Sequence, residues 1–268
     1  MAPDGLGAYG VDPGEVLREL ESRDRLKESS MKADTRSEGI QGFWEGKASA
    51  MTAAREQARE LRAKSDRASA ECVLASAHYS RATTLWTRGP WWLPFVLWHF
   101  WRARRHVRKI LDGSGNHRNL SPEQFDVAGT ILMRGPFPDI STALWFFYGG
   151  YWEAEEERRP RTQPHTKAFL RIGLGECREL PGREHDSGLA RRFFGEAADL
   201  IPAIESFASL ISELGSDRYK CQLVRVLKRC GAYFKRVGDP RGDEFLARAE
   251  KLAAEASPDQ LAKIKAGI

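Results

Sequence analysis

Residues 51–86, MTAAREQARELRAKSDRASAECVLASAHYSRATTLW, decide the fold class. The stretch holds neither proline nor glycine. Ala54, Ala58, Leu61, Ser65, Ala68, Cys72, Ala75, Tyr79, Ala82 and Trp86 recur at alternating steps of four and three, which lines them up along one side of an α-helix. Extended backwards, the seam takes in Met51 and Trp44, with Lys47 as its break. A single helix over 42–86 would run roughly 60 Å at about 1.5 Å per residue. Most seam residues are small, so another helix can come close. The spacing fits a protruding coiled-coil arm or an oligomerisation helix, and equally a long helix laid on its own domain.

Arg88-Gly89-Pro90 ends this helix. The next segment, WWLPFVLWHFWRARRHVRKIL (91–111), opens a second one with Pro94 in its first turn. Phe95 to Trp101 is apolar on nearly every side. Beyond it Phe100, Ala103, Val107, Ile110 and Leu111 narrow to a stripe between Arg102, Arg104, Arg105, Arg108 and Lys109. From Arg88 to Arg118 there are seven basic residues and one acid, Asp112.

Downstream the sequence reads as shorter helices. DGSGNHRN (112–119) is a linker, and Ser121-Pro122-Glu123-Gln124 is a capping signature with proline at the first helical position. Helices are expected at 122–134, 140–157, 165–180, 187–200, 202–214, 217–237, 240–256 and 258–266. The breaks between them fall at proline and glycine: GPFPD, RRPRTQP, Pro181-Gly182, Ile201-Pro202, Gly215-Ser216, Gly238-Asp239-Pro240 and Ser257-Pro258. No stretch alternates with period two between hairpin turns. The expected class is all-α: a long N-terminal helix followed by antiparallel helix pairs, stacked as an α-solenoid or an irregular bundle. Three parts are expected: a flexible N-terminal arm (1–41) with one short helix at Val11–Leu20 after Asp12-Pro13, the seam and aromatic-basic helices (42–112), and a helical domain (120–268).

Composition agrees with a folded chain. Of 268 residues, 41% are hydrophobic and 29% charged, which excludes wholesale disorder and a multi-span membrane protein. The formal charge of +5, from 42 basic and 37 acidic residues, does not demand a nucleic-acid partner. Eight tryptophans and 13 phenylalanines are many for this length. Cys72, Cys177, Cys221 and Cys230 show no metal spacing, so a reducing, intracellular compartment with inert thiols is expected. The opening MAPDGLGAYGVDPGEV has no apolar signal region, and Ala2 excludes myristoylation. The longest apolar run is Trp91–Trp101, against the ~20 residues a helix needs to span a bilayer.

Short helix pairs that cannot each bury their own face suggest a stacked repeat. Ala190, Phe194, Ala197 and Pro202 follow the order small-x3-aromatic-x2-small-x4-proline. This resembles the second helix of a tetratricopeptide repeat (TPR), including its terminating proline, and Phe169, Ile172 and Gly173 look like the first. Phe125, Ala128, Gly129 and Leu132 with Ala143, Phe147 and Gly150 are similar upstream, as are Tyr233, Gly242, Leu246 and Ala249 downstream. The likeness covers about 120–257. It implies small residues where two helices touch and a large one filling the groove between pairs. It further implies a concave surface that binds a peptide or helix, with Lys167, Arg171 and Arg178 near it.

No catalytic, cofactor or metal residues are assigned. Gly5, Gly7 and Gly10 have the form of a dinucleotide fingerprint but lack the preceding strand that it needs. The six histidines make neither HExxH nor an i, i+4 pair, although His99 and His106 share a side. Glu153, Glu155, Glu156 and Glu157 read as a solvated end with Arg158, Arg159 and Arg161 beside it, and Arg241-Gly242-Asp243 as a chance tripeptide in a turn. The segment to single out is Trp91, Trp92, Trp98 and Trp101 with Arg102, Arg104, Arg105 and Arg108. Three readings stand: an internal core under the seam helix, a docking surface for protein subunits, or an anchor on an anionic membrane surface. The expected function is a non-catalytic structural or adaptor subunit in a larger assembly. The alternatives are a peripheral membrane protein held by helix 91–111 and a helical-repeat RNA binder, although a nucleic-acid partner is not favoured.

Overall fold

The computed structural model describes residues 48–86, 88–112, 120–134, 136, 138–155, 162–182, 184–213 and 218–256. The expectations on the arm 1–41 with its glycine motif, on Trp44, Lys47 and His117, on 156–161 and on the helix at 258–266 lie outside the described residues. Every regular element described is helical. They are α1 (Ala48–Ala63), α2 (Arg67–Trp86), a 3₁₀ turn (Pro90–Trp92), α3 (Leu93–Asp112), α4 (Pro122–Met133), α5 (Ile140–Glu155), α6 (Pro164–Glu179), α7 (Ser187–Ala198), α8 (Ile201–Glu213), α9 (Arg218–Arg236) and α10 (Arg241–Ala254). The protein is all-α.

The seam is two helices rather than one long rod. α1 ends in a Schellman turn: Ser65 N donates to Arg62 O (3.0 Å) and Asp66 N to Leu61 O (2.9 Å), with Ser65 in the left-handed region at φ 61°. Asp66 then caps α2, its Oδ1 accepting from Ser69 N at 3.1 Å. The chain reverses, and α1 packs back on α2 through Ala58, Leu61, Ala70 and Leu74. Of the seam residues, Ala58 and Leu61 serve this helix hairpin, whereas Ala68, Cys72 and Ala75 join the larger core with α3 to α6 and Ala82 packs on α3.

Chain neighbours pair through short connections: α2 with α3, α4 with α5, α6 with α7, and α9 with α10. α4 opens on the expected cap, Gln124 N donating to Ser121 Oγ while Ser121 N donates to Gln124 Oε1. Successive pairs then lie on one another, α2 on α4, α4 and α5 on α6, and α6 and α7 on α9. The central helix is α6. Its Leu170, Leu174 and Cys177 join the core shared by α2 to α5, while Ala168, Phe169 and Ile172 join the core shared with α7 to α10.

Glycines set how closely the pairs approach. The Phe147 ring of α5 is fully buried between Gly129 of α4 and Gly173 of α6. A Cβ at Gly129 would stand 2.7 Å from Phe147 Cε1, inside any tolerable contact, and one at Gly173 would be closer still. Gly175 under Phe194 repeats the device in the next pair. Burying such a ring contributes about 2–3 kcal/mol, so the glycines are retained despite their backbone entropy.

Candidate docking surface

All seven tryptophans among the described residues are exposed. The buried aromatic positions of the core are filled by phenylalanines and Tyr233. This corrects the internal-core reading of Trp91, Trp92, Trp98 and Trp101. α3 does pack on α2, but through Val96 and Phe100 against Ala82, Leu85 and Tyr79. Its buried line continues through Ala103, Val107 and Ile110, one helical side only. The tryptophans fall on the opposite side and at the hairpin tip, where the 3₁₀ turn leaves no residue buried.

The tip is an exposed apolar cluster. Trp91 is 91% exposed, Trp86 64%, Phe95 57% and Trp101 54%, with Trp92, Leu93, Leu97 and Trp98 between them. Trp86 and Phe95 were not among the expected surface residues. The clue to them was position: Trp86 is the last residue of α2 and Phe95 faces away from the Val96–Phe100 line. Basic residues follow at once. Arg102 lies over the Trp98 ring and Arg105 over the Trp101 ring. Arg108 is 3.9 Å from Asp139, while Arg104 turns inward and donates to Leu132 O at 3.2 Å. From Cys72 to Leu111 the chain carries no aspartate or glutamate. The tip thus presents aromatic rings with Arg102 and Arg105, and the carboxylates Asp139 and Glu71 meet the cations of α3 further back, Arg108 and Lys109.

A polar layer under the tip fixes its geometry. His78 of α2 and His99 of α3 share a hydrogen bond between their Nδ1 atoms at 2.9 Å, one ring donating and the other accepting. Trp98 stands edge-on to both, at 5.5 Å and 4.7 Å between ring centres. Burial, with His99 and His106 close by, pushes His78 down to about 3. Burial and Arg81 push His99 down to about 4, so both rings are neutral at neutral pH. His106 stacks on His78 and its Nδ1 lies 2.6 Å from Glu71 Oε2. Burial opposes the charge on Glu71, but hydrogen bonds from His106 and Arg62 with the nearby Lys109 overcome it and hold the carboxyl at about 2. Among the described residues no three His, Cys, Asp or Glu side chains are placed to hold a metal. No described helix is long and apolar enough to cross a membrane.

The three basic residues expected on a concave surface lie on one side of α6, turned towards α5 and α7. Arg171 Nη2 donates to Glu155 Oε1 at 2.9 Å, its Nε is 3.5 Å from Glu196 Oε2, and its guanidinium covers Tyr151. Lys167 is 3.8 Å from the same Glu155, which gives that glutamate a partner within the fold. Arg178 donates to Glu184 O and Oε2 beside Tyr148. Burial raises the Cys72, Cys177 and Cys230 thiols to about 12, so none is a nucleophile at neutral pH.

No protein-family model, curated protein or solved structure matches the chain.

Proposed function

We propose that this protein is a non-catalytic docking subunit, held to an anionic membrane surface by the α2–α3 tip while its stacked helices carry partner proteins. The observation that supports the reading is the tip itself: Trp86, Trp91, Phe95, Trp98 and Trp101 exposed on a stretch of chain with no carboxylate between Cys72 and Leu111. Protein hot spots of this composition sit in the centre of a patch ringed by polar contacts. An exposed aromatic end backed by arginines suits the boundary between acyl chains and headgroups, where indole rings settle and cations meet lipid phosphates. Each basic side chain near an anionic surface adds about 1 kcal/mol, so Arg88, Arg102, Arg105 and Arg108 make association dependent on lipid charge and salt.

The stacked pairs α4–α5 and α6–α7, closed by glycines under phenylalanines, and α9–α10, closed by Gly231 against Leu246 and Gly242 against Lys235, support a TPR-like body for the adaptor role. A second surface favours protein partners: Trp145 and Trp152 on α5 are exposed as well, away from the tip.

Vesicle flotation tests the membrane part. The full chain is expected to float with vesicles containing phosphatidylserine, less with purely zwitterionic vesicles, and not once Trp91 and Trp101 are changed to serine. No flotation with any vesicle, or unchanged flotation of the double variant, overturns it. If the protein then elutes as a defined complex with other subunits, the tip belongs to a protein interface.

A further inference from the structure

The charged residues that sequence spacing did not bring together meet in a recess between α2, α4, α6 and α9. α6 is its floor. α4 and α9 each lie against α6 and form facing walls. Glu176 on the floor ties the walls together, accepting from Arg229 Nε of α9 at 2.8 Å and from Nη2 of Arg134, the C-cap of α4, at 3.2 Å. Phe169, also on α6, lies under two guanidinium groups, Arg225 at 5.0 Å and Arg229 at 5.7 Å. Asp126 of α4 and Tyr79 of α2 lie within the electrostatic reach of Arg225 and Arg229.

Solvent touches 15% of the Arg229 side chain and 22% of Glu176, so the cluster is open at its edge. Its polar groups are incompletely matched. Asp126 Oδ1 and Arg229 Nη2 are sealed from solvent with no hydrogen-bond partner. Arg225 donates to Gln222 Oε1 at 3.1 Å and has no carboxylate within ion-pair distance among the described residues. An unmet buried donor or acceptor is costly, and more so when charged. Here an unmet carboxylate oxygen and two guanidinium groups with spare donors share one recess.

We propose that this recess is a binding site for a small oxyanion that carries a neighbouring hydroxyl, the oxyanion on Arg225 and Arg229 and the hydroxyl donating to Asp126. Guanidinium forks match carboxylate and phosphate oxygens with two parallel hydrogen bonds, and the aromatic floor keeps the forks desolvated. Glu176 does not compete for the anion. It orients Arg229 and Arg134 and leaves their other donors free. The excess of three arginines over two carboxylates gives the recess a positive balance that an anion neutralises. Burial, which raises Asp126 to about 6, fits a carboxyl that waits for a donor.

The test uses the full chain and three probes: L-malate, glycerol 3-phosphate and inorganic phosphate, each against sodium chloride of equal ionic strength. Calorimetric titration and thermal unfolding are read together. Malate or glycerol 3-phosphate is expected to bind and to raise Tm above the chloride control, and the stronger of the two identifies carboxylate or phosphate as the anion. Arg225→Gln is expected to weaken binding at least tenfold. Asp126→Asn is expected to bring the preferred probe down towards the response to inorganic phosphate. Arg225→Lys, which keeps the charge and loses the fork, is expected to fall between, and it serves if the glutamine variant does not fold. No probe binding above the chloride control, or unaltered binding by the Arg225 and Asp126 variants, overturns the proposal and leaves the cluster a structural network.

Discussion

The guanidinium carbon of Arg102 lies 5.4 Å from the centre of the Trp98 ring, and one turn along the helix Arg105 stands 5.4 Å from Trp101. Such pairs contribute about 0.5–1 kcal/mol each at exposed sites. Their larger consequence is geometric. They lay the arginine stems along the indoles, so that the cations form a collar directly behind the aromatic end.

That arrangement predicts what charge reversal does. Arg105→Glu changes the collar by two charges, worth roughly 2 kcal/mol on an anionic surface, or about thirtyfold in vesicle affinity at low salt. Arg105 is exposed and makes no ion pair among the described residues, so the expected change in folding stability is below about 1 kcal/mol. Vesicle titration beside chemical denaturation reads both.

The Gly129–Phe147–Gly173 contact predicts a large effect from a single methyl. Gly129→Ala forces the Phe147 ring out of its place between α4 and α6, at a cost of about 1–3 kcal/mol, although alanine is the better helix former. Equilibrium denaturation checks it, and a stabilised variant would show that the two pairs have room to part.

Ser65 predicts the opposite sign. A non-glycine residue in the left-handed region costs about 1–2 kcal/mol, and Ser65 is exposed with no side-chain hydrogen bond. Ser65→Gly is expected to stabilise the chain by about 0.5–1 kcal/mol after the entropy of the added glycine. A shifted denaturation midpoint at constant slope is the measurement.

The polar layer predicts acid sensitivity. His78 and His99 are held below their ordinary 6.5, at about 3 and about 4. Between those limits the unfolded chain binds the protons first, so stability falls as pH drops below 6.5. Glu71, held at about 2 against 4.5, contributes fully above 4.5, and that contribution is lost as pH falls towards 2. Stability measured at pH 8, 6.5, 5 and 4 is expected to fall steadily below 6.5. His78→Asn flattens the fall between 6.5 and 4.5, and Glu71→Gln flattens it below 4.5.

Much of the helical order was legible because proline and glycine mark most of its boundaries, and Ser121 with Gln124 announced α4. The reversal at Ser65 was not, since a serine takes the left-handed position there and the only sign was Asp66 as the next cap. The fate of the tryptophans was hidden for a different reason. A helix apolar on nearly every side looks the same whether enclosed or overhanging. It is decided by which side of α3 the neighbouring helices cover, the Val96–Phe100–Ala103–Val107–Ile110 line. For Lys167, Arg171 and Arg178, the TPR resemblance implied a place near a concave surface but did not say which helices that side meets. Asp126, Glu176, Arg225 and Arg229 come from three helices spread over a hundred residues, and no local spacing joins them.

The most direct test of the docking account is quenching of tryptophan emission by vesicles whose acyl chains carry bromine near the headgroups. The account predicts quenching that grows with the phosphatidylserine content and is lost on changing Trp91, Trp98 and Trp101 to serine, with Trp145 and Trp152 unaffected. Emission that no vesicle composition quenches, or quenching that survives in the triple variant, would contradict it.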